Sequence, residues 1–372
     1  MSKNKKITFI ISSLSGGGAE NVCISMANIF VKNGWEVDLL ILKKKNDNSQ
    51  SLISKKIKLV TLDASHARTS ILPLTKYFFK NKPKIVLLFN YEITVIILIL
   101  RLILNLKLTI ISRNTNMFTI RLKELKKENY WSNLVSSNLI KIFYSNSDHV
   151  INQCEAMRQD LNSYFPKLIN KSSTIYNPIS IKIDNFIKKH NLSQIKKQNY
   201  LLCIGRLEKQ KAFQYAIEAF AKVSNKFPEL RLKIVGKGSL ENELKKNCID
   251  YGISNKIDFE GFHENIIPYY LYARGTLLTS LYEGYPNVLI ESIALNTPVV
   301  SFNCPGGPSE IIKDGVNGFI ANHLDTDDLS NKIIKLLNTK FNSKDLELSL
   351  NKNQINNIYL QYSKLIESKL IF

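Results

Sequence analysis

Two glutamates, Glu283 and Glu291, stand with seven residues between them in "SLYEGYPNVLIESIALNTPVVSF" (280–302). Glu283 adjoins Gly284 and Pro286 in a turn, and Glu291 falls inside a helical pattern. A carboxylate pair can serve as the acid and base of a glycosidase. Such a pair flanks the scissile bond from opposite walls, however, and these two belong to one contiguous loop and helix. Carboxylates also accept hydrogen bonds from sugar hydroxyls. Pro286 suits the first position of a helix, which leaves the first-turn amides of Asn287, Val288 and Leu289 without intrahelical partners and able to bind an anion. A ligand with hydroxyls at both ends and phosphates between, a nucleotide sugar, matches that order of groups.

Further candidates lie elsewhere. In "CIGRLEKQKAF" (203–213), Arg206 and Lys211 follow a strand-like run and a glycine. Arg forks onto two phosphate oxygens and Lys supplies a point charge, which suits a diphosphate; solvated surface charge with Glu208 as partner explains the pattern equally well. "SLSGGGAEN" (13–21) places three glycines between a buried strand and a helix. Amides there can close on a phosphate, although a tight strand–helix turn needs the same residues. G-x-G-x-x-G fails because its last position is Asn21, and no Gly-Lys-Ser/Thr follows for a P-loop. Asp325 and Asp327 form a D-x-D, read here as a helix N-cap rather than a metal chelator. His263 and His323 have no spaced partner. Five scattered cysteines without CxxC spacing argue against zinc and disulfides and suit a reducing compartment.

These residues need a scaffold that brings strand ends together. A chain of 372 residues is long enough for two domains. Residues 1–176 alternate apolar runs ("KITFII", "GWEVDLLIL", "KIKLVTL", "KIVLLFN", "LTIISRN", "SDHVINQ") with helix-length segments. The alternation restarts after about 200 ("YLLCIGRL", "LRLKIVGKG", "KIDFEGF", "TLLTSL", "TPVVSF", "NGFIAN"). Strand–helix alternation predicts parallel α/β sheets, here two doubly wound domains joined near 177 with ligands at the strands' carboxyl ends, facing a crevice. The polar stretch "KKHNLSQIKKQN" (188–199) reads as a linker, and the tail from about 351 reads as helical.

The net charge of +20 is uneven, because residues 1–176 hold 26 Lys+Arg against 11 Asp+Glu. Such a field attracts polyanions: nucleic acid, an anionic membrane or a phosphorylated substrate. No RNA- or DNA-binding motif or stacking platform accompanies it, so nucleic acid is not expected as a partner. The apolar run at 7–11 is too short for a signal-peptide core. The run at 93–106, interrupted by Arg101, falls short of the roughly 20 residues a bilayer span requires. It reads as a helix behind a sheet, with a dip into a bilayer surface as the alternative.

With these residues in view, the chain resembles the GT-B glycosyltransferases of family 4. The resemblance rests on "GGGAEN", "GRLEKQK", "FEGFHENIIPYY", "EGYPNVLIESIALNTPVVS" and "CPGGPSEII" in order along nearly the whole chain. It implies two Rossmann-like domains facing a cleft. Residues 1–176 would bind the acceptor and 177–352 the nucleotide sugar, and 353–372 would form a helix crossing back. It implies catalysis and donor binding by Glu283 (sugar hydroxyls), Arg206 and Lys211 (the departing diphosphate), and Glu291 (ribose). Gly17, Gly18, Asn287, Val288 and Leu289 would lie at the phosphates, with Phe262 and Gly284 also lining the donor site. Transfer would retain the anomeric configuration and need no metal or other cofactor. Where many relatives carry a histidine, this chain has Arg113 and Asn114, which suits proton uptake by the leaving phosphate and puts both residues on the acceptor side. The implied activity is hexosyl or N-acetylhexosaminyl transfer, with UDP as the expected nucleotide, in O-antigen, capsule or other lipopolysaccharide and lipid-linked glycan assembly. The alternative is a sugar-nucleotide epimerase acting on the donor alone. The expected acceptor is a saccharide on a lipid diphosphate, and the expected location is cytoplasmic, peripheral on the inner face of the membrane. The stretch 121–144, read as a basic amphipathic helix, would lie on the anionic surface or dock as an ordinary surface helix.

Overall fold

The computed structural model describes residues 5–14, 17–43, 51–127 and 131–370, with the side chains of 125–136 and 193 outside that description. The chain forms two compact units, one of Met1–Pro178 with Ile355–Phe372 and the other of Ile179–Gln354.

The first unit is built on seven parallel strands: β1 (Lys6–Ile11), β2 (Glu36–Ile41), β3 (Lys58–Thr61), β4 (Ile85–Leu88), β5 (Thr109–Arg113), β6 (His149–Asn152) and β7 (Ser172–Thr174). Their order is β3-β2-β1-β4-β5-β6-β7. The second has six: β8 (Tyr200–Ile204), β9 (Arg231–Val235), β10 (Ile257–Gly261), β11 (Gly275–Leu278), β12 (Val299–Phe302) and β13 (Gly318–Ala321), in the order β10-β9-β8-β11-β12-β13. Both sheets wind outward from a central pair, β1/β4 and β8/β11, and such a reversal opens a crevice at the strands' carboxyl ends. Both match the expected doubly wound α/β class. Helices cover both faces of a parallel sheet, so the central strands read as continuous apolar runs; every residue of β4 and β8 is buried. The strand β7 was not expected, because its three residues, only one of them buried, carry almost no pattern.

The apolar run at 93–106 folds as the helix Tyr91–Ile103. Ile93, Ile97 and Leu98 join the core beneath β1, β4 and β5, while Leu102 and Ile103 are exposed in its last turn. Among the described residues no helix is long and apolar enough to cross a membrane. Of the stretch 121–144, expected as one helix, the described part lies in the helices Phe118–Lys127 and Trp131–Phe143, and 128–130 lie outside the described residues.

The expected linker is a correction. Residues 188–199 belong to the second unit, where Gln198 N–H donates to Tyr272 O (2.7 Å) and the Lys197 ammonium reaches into the fold. Polarity misled because Lys197 is half-buried with hydrogen-bonding partners. The last helix, Ile355–Leu370, packs in the first unit. The indole of Trp35 donates to Tyr359 OH (3.2 Å), and Lys5 pairs with Glu367 (2.7 Å). In the second unit, Ile179 N–H donates to Asn353 O (2.8 Å), joining its first and nearly last residues.

Candidate active site

The site candidates of the second unit, Phe262 past β10 apart, gather beyond the carboxyl ends of β8 and β11, with the loop after β12 beside them. Beyond β8, the segment from Gly205 to Lys211 turns into the helix Phe213–Ser224. Beyond β11, Thr279 to Pro286 leads into the helix Asn287–Ala294. The two loops are stitched together: Leu281 N–H donates to Gln210 O (2.9 Å), Gln210 Nε2 to Tyr282 O (3.1 Å) and Thr279 Oγ1 to Lys211 O (3.2 Å). This backbone frame brings Lys211 Nζ to 2.5 Å from Glu283 Oε1, an oxygen that also accepts from Ser280 Oγ (2.6 Å). Both side chains of the ion pair are largely buried, at 15% and 8% exposure. Two of the residues singled out in the sequence are thus one bonded pair.

Glu283 is further fixed from β12's loop. Glu283 N–H donates to Pro305 O (2.9 Å) and Gly307 N–H to Gly284 O (2.8 Å). Gly306 has φ +124°, and a Cβ there would lie 2.2 Å from Glu283 O, so only glycine permits this approach. Pro286 caps the following helix rather than occupying its first turn. The Leu289 amide, expected at the phosphates, turns back to Pro286 O (3.2 Å), and its side chain is wholly buried. Asn287 and Val288 are half-buried and Gly284 is buried at the same helix start.

Glu291 lies one turn further in, 8% exposed. Its Oε2 accepts from Tyr270 OH (2.9 Å). Burial pushes its carboxyl up to about 7; the Tyr270 hydrogen bond and the Lys182 charge oppose that rise without cancelling it. A carboxylate in this state gains from hydroxyl donors that replace lost water.

Arg206 is exposed at the rim and donates to Gln210 Oε1 (3.3 Å). Glu208, the partner weighed for it, instead accepts from Ser239 N–H (3.0 Å) and Ser239 Oγ (2.8 Å). These bonds draw the loop after β9 onto the loop after β8. The approach is close: a Cβ on Gly236 would lie 1.8 Å from Gly205 O. This second glycine turn, legible as "VGKGS", was not among the expected site residues, and neither were Ser280, Tyr270 and Gly306. Phe262 is 63% exposed just past β10.

The first unit holds the remaining candidates. Gly17 precedes the helix Gly18–Lys32. The Glu20 carboxylate lies against it, 2.4 Å from where a Gly17 Cβ would be, so this helix start already has an acid beside it. Arg113 and Asn114, expected on the acceptor side, are buried in the first unit. Arg113 is 2% exposed, donating through Nε to Tyr362 OH (2.7 Å) and through a second nitrogen to Asn177 Oδ1, under the ring of Phe89. Asn114, fully buried, bonds Asn152 Oδ1 (2.6 Å) and accepts from Tyr144 OH (2.6 Å). Arg113 ends β5 and Asn114 follows it, and the last helix supplies Tyr362 to Arg113. As expected, Asp325 caps the helix Thr326–Asn338, accepting from Asp328 N–H (2.9 Å), and Asp327 pairs with Lys222 (2.7 Å).

Two doubly wound α/β units, with charged residues clustered at the strand ends of one, define the GT-B class. Solved structures of that class align over almost the entire chain. The Anabaena protein HepE, in complex with UDP and glucose, superposes with a TM-score of 0.75 at 18% identity, covering 98% of this chain and all of that one. Residues 16–182 match the model for Glycosyltransferase Family 4, and residues 184–359 the model for Glycosyl transferases group 1. The chain belongs to this glycosyltransferase family. A glycosyltransferase of Methanocaldococcus jannaschii is 31% identical over 59% of this chain, a match spanning 56% of the archaeal protein. An N-acetylgalactosaminyltransferase of Campylobacter jejuni, named for an undecaprenyl-diphosphate-linked saccharide, is 26% identical over 85% of this chain and 86% of its own. These names describe group transfer, and the epimerase alternative finds no support in them.

Proposed function

We propose that the chain transfers a hexosyl or N-acetylhexosaminyl group from a UDP-sugar, with retention, to a saccharide on a lipid diphosphate. The observation that carries this reading is the placement of Glu283 and Glu291 on either side of one helix start, with Lys211 bonded to the first. A donor threaded there sets its ribose diol on Glu291 and its sugar hydroxyls on Glu283. Its diphosphate lies between them, near Lys211 and the helix amides, with Arg206 folding in from the rim. Phe262 offers an exposed ring just past β10. As the bond to the anomeric carbon breaks, charge collects on the diphosphate. Lys211 and the helix amides stabilise that charge, and Arg206 adds to it once folded in. The acceptor proton passes to a departing phosphate oxygen, so the chemistry needs no protein base and no metal.

The Campylobacter relative's name supports a lipid-diphosphate acceptor, and the basic bias of residues 1–176 supports a peripheral place on the anionic inner face of the membrane. O-antigen, capsule and related surface glycans are the products such an acceptor would lead to. The test supplies UDP-sugars and an undecaprenyl-diphosphate saccharide in EDTA. Product with retained configuration is expected; full activity and UDP affinity in Glu291→Ala would refute the donor site. Sedimentation with anionic vesicles, lost in high salt, checks the membrane reading.

A further inference from the structure

Glu291 is held by a buried neighbour, Tyr270. Tyr270 is fully buried in the short helix Ile267–Tyr272, and its hydroxyl donates to Glu291 Oε2 (2.9 Å). A helix of this length has little stability of its own, and its last carbonyls need partners. They have them: Thr297 Oγ1 donates to Tyr270 O (2.6 Å), and the Lys197 ammonium donates to Leu271 O (2.8 Å) and to Thr297 Oγ1. Two polar side chains from separate segments thus lock the helix end that aims the tyrosine.

We propose that Tyr270, braced by Thr297 and Lys197, is a positioning residue that keeps Glu291 ionised and turned so that its other oxygen receives the ligand's diol. This rests on the reading of Glu291 as the ribose acceptor. Two groups act electrostatically on that carboxyl, Tyr270 from the helix Ile267–Tyr272 and Lys182 from the helix Ile181–Ile187. Burial holds the Tyr270 hydroxyl well above its ordinary range, so it remains a donor throughout the working pH. Without that donor the carboxylate would be harder to ionise, and its free rotation would cost alignment as well.

The experiment is calorimetric titration of the full chain with UDP from pH 5.5 to 9, using wild type, Tyr270→Phe and Glu291→Gln. The ring of Tyr270→Phe preserves the packing, and circular dichroism checks the fold. Wild-type affinity is expected to weaken as pH falls through about 7. In Tyr270→Phe the break should move above that value, with affinity about tenfold weaker at pH 7.5, the range for a lost hydrogen bond to a charged group. Glu291→Gln should be weak and flat with pH. A Tyr270→Phe profile that overlays wild type, while Glu291→Gln is impaired, overturns the role of Tyr270 and leaves the site reading intact. A Glu291→Gln variant that binds UDP like wild type overturns both.

Discussion

Glu291→Gln should make the protein more stable while disabling it. The wild-type carboxyl is 8% exposed, and its burial carries it from an ordinary 4.5 to about 7. Below pH 4.5 the group holds its proton folded or unfolded, and folding is unaffected. Between 4.5 and 7 the unfolded chain ionises while the fold keeps the proton, so stability falls as pH rises. Above 7 the loss is complete, at about 3 kcal/mol from the linkage of 1.36 kcal/mol per pH unit. Glutamine has the same shape and no charge at any pH, and its carbonyl oxygen accepts the Tyr270 hydroxyl as before. Thermal unfolding of both proteins at pH 5 and pH 8 is the assay. The variant should melt near wild type at pH 5 and clearly above it at pH 8, and saturating UDP should narrow or reverse the pH 8 gap. A variant less stable than wild type at pH 8, or a gap independent of pH, would refute a buried, costly carboxylate at this position.

Other outcomes follow from the same geometry. Gly306→Ala forces a Cβ to 2.2 Å from Glu283 O at a left-handed φ; a destabilisation above about 2 kcal/mol with loss of UDP binding is expected by melting and titration. Lys211→Met strands the Glu283 carboxylate in a largely buried setting and should cost about 3–5 kcal/mol, most of it recovered in Lys211→Met/Glu283→Gln, as a double-mutant cycle will show. Burial and the Lys369 and Arg158 charges hold His149 down at about 4. The unfolded chain therefore takes up a proton that the fold refuses, and stability falls as pH drops from 6.5 to 4; His149→Gln should flatten that acid limb in urea titrations. Arg113→Met should raise hydrogen exchange across 355–370 by removing the bond to Tyr362, with no selective change in acceptor KM.

The doubly wound fold was legible because parallel strands buried on both faces write themselves as apolar runs, as β4 and β8 do. The strand β7 was not, since three half-exposed residues leave no period to detect. Glu283, Lys211 and Glu291 stood out by type and spacing, but their bonding did not. The Lys211–Glu283 pair joins positions 72 apart in sequence, and only the loop register makes them meet. Lys197 and Arg113 share a setting that the sequence does not display: each is partly or wholly buried against hydrogen-bond acceptors. Charged side chains are read as solvated or ligand-facing, and burial with hydrogen-bond partners is invisible in one dimension.

The bond between Ile179 N–H and Asn353 O has a consequence for how such a chain changes over time. The chain enters and leaves the second unit at adjoining points, and Tyr285 of the candidate donor loop is tied to the exit by Asn353 Nδ2 (3.1 Å). A module whose two ends touch can be excised or replaced with two cuts made side by side, and the residues left behind need bridge almost no gap. Exchanging this cassette between relatives would carry the whole second sheet and its loops across as one piece, while the first unit keeps its own sheet and last helix.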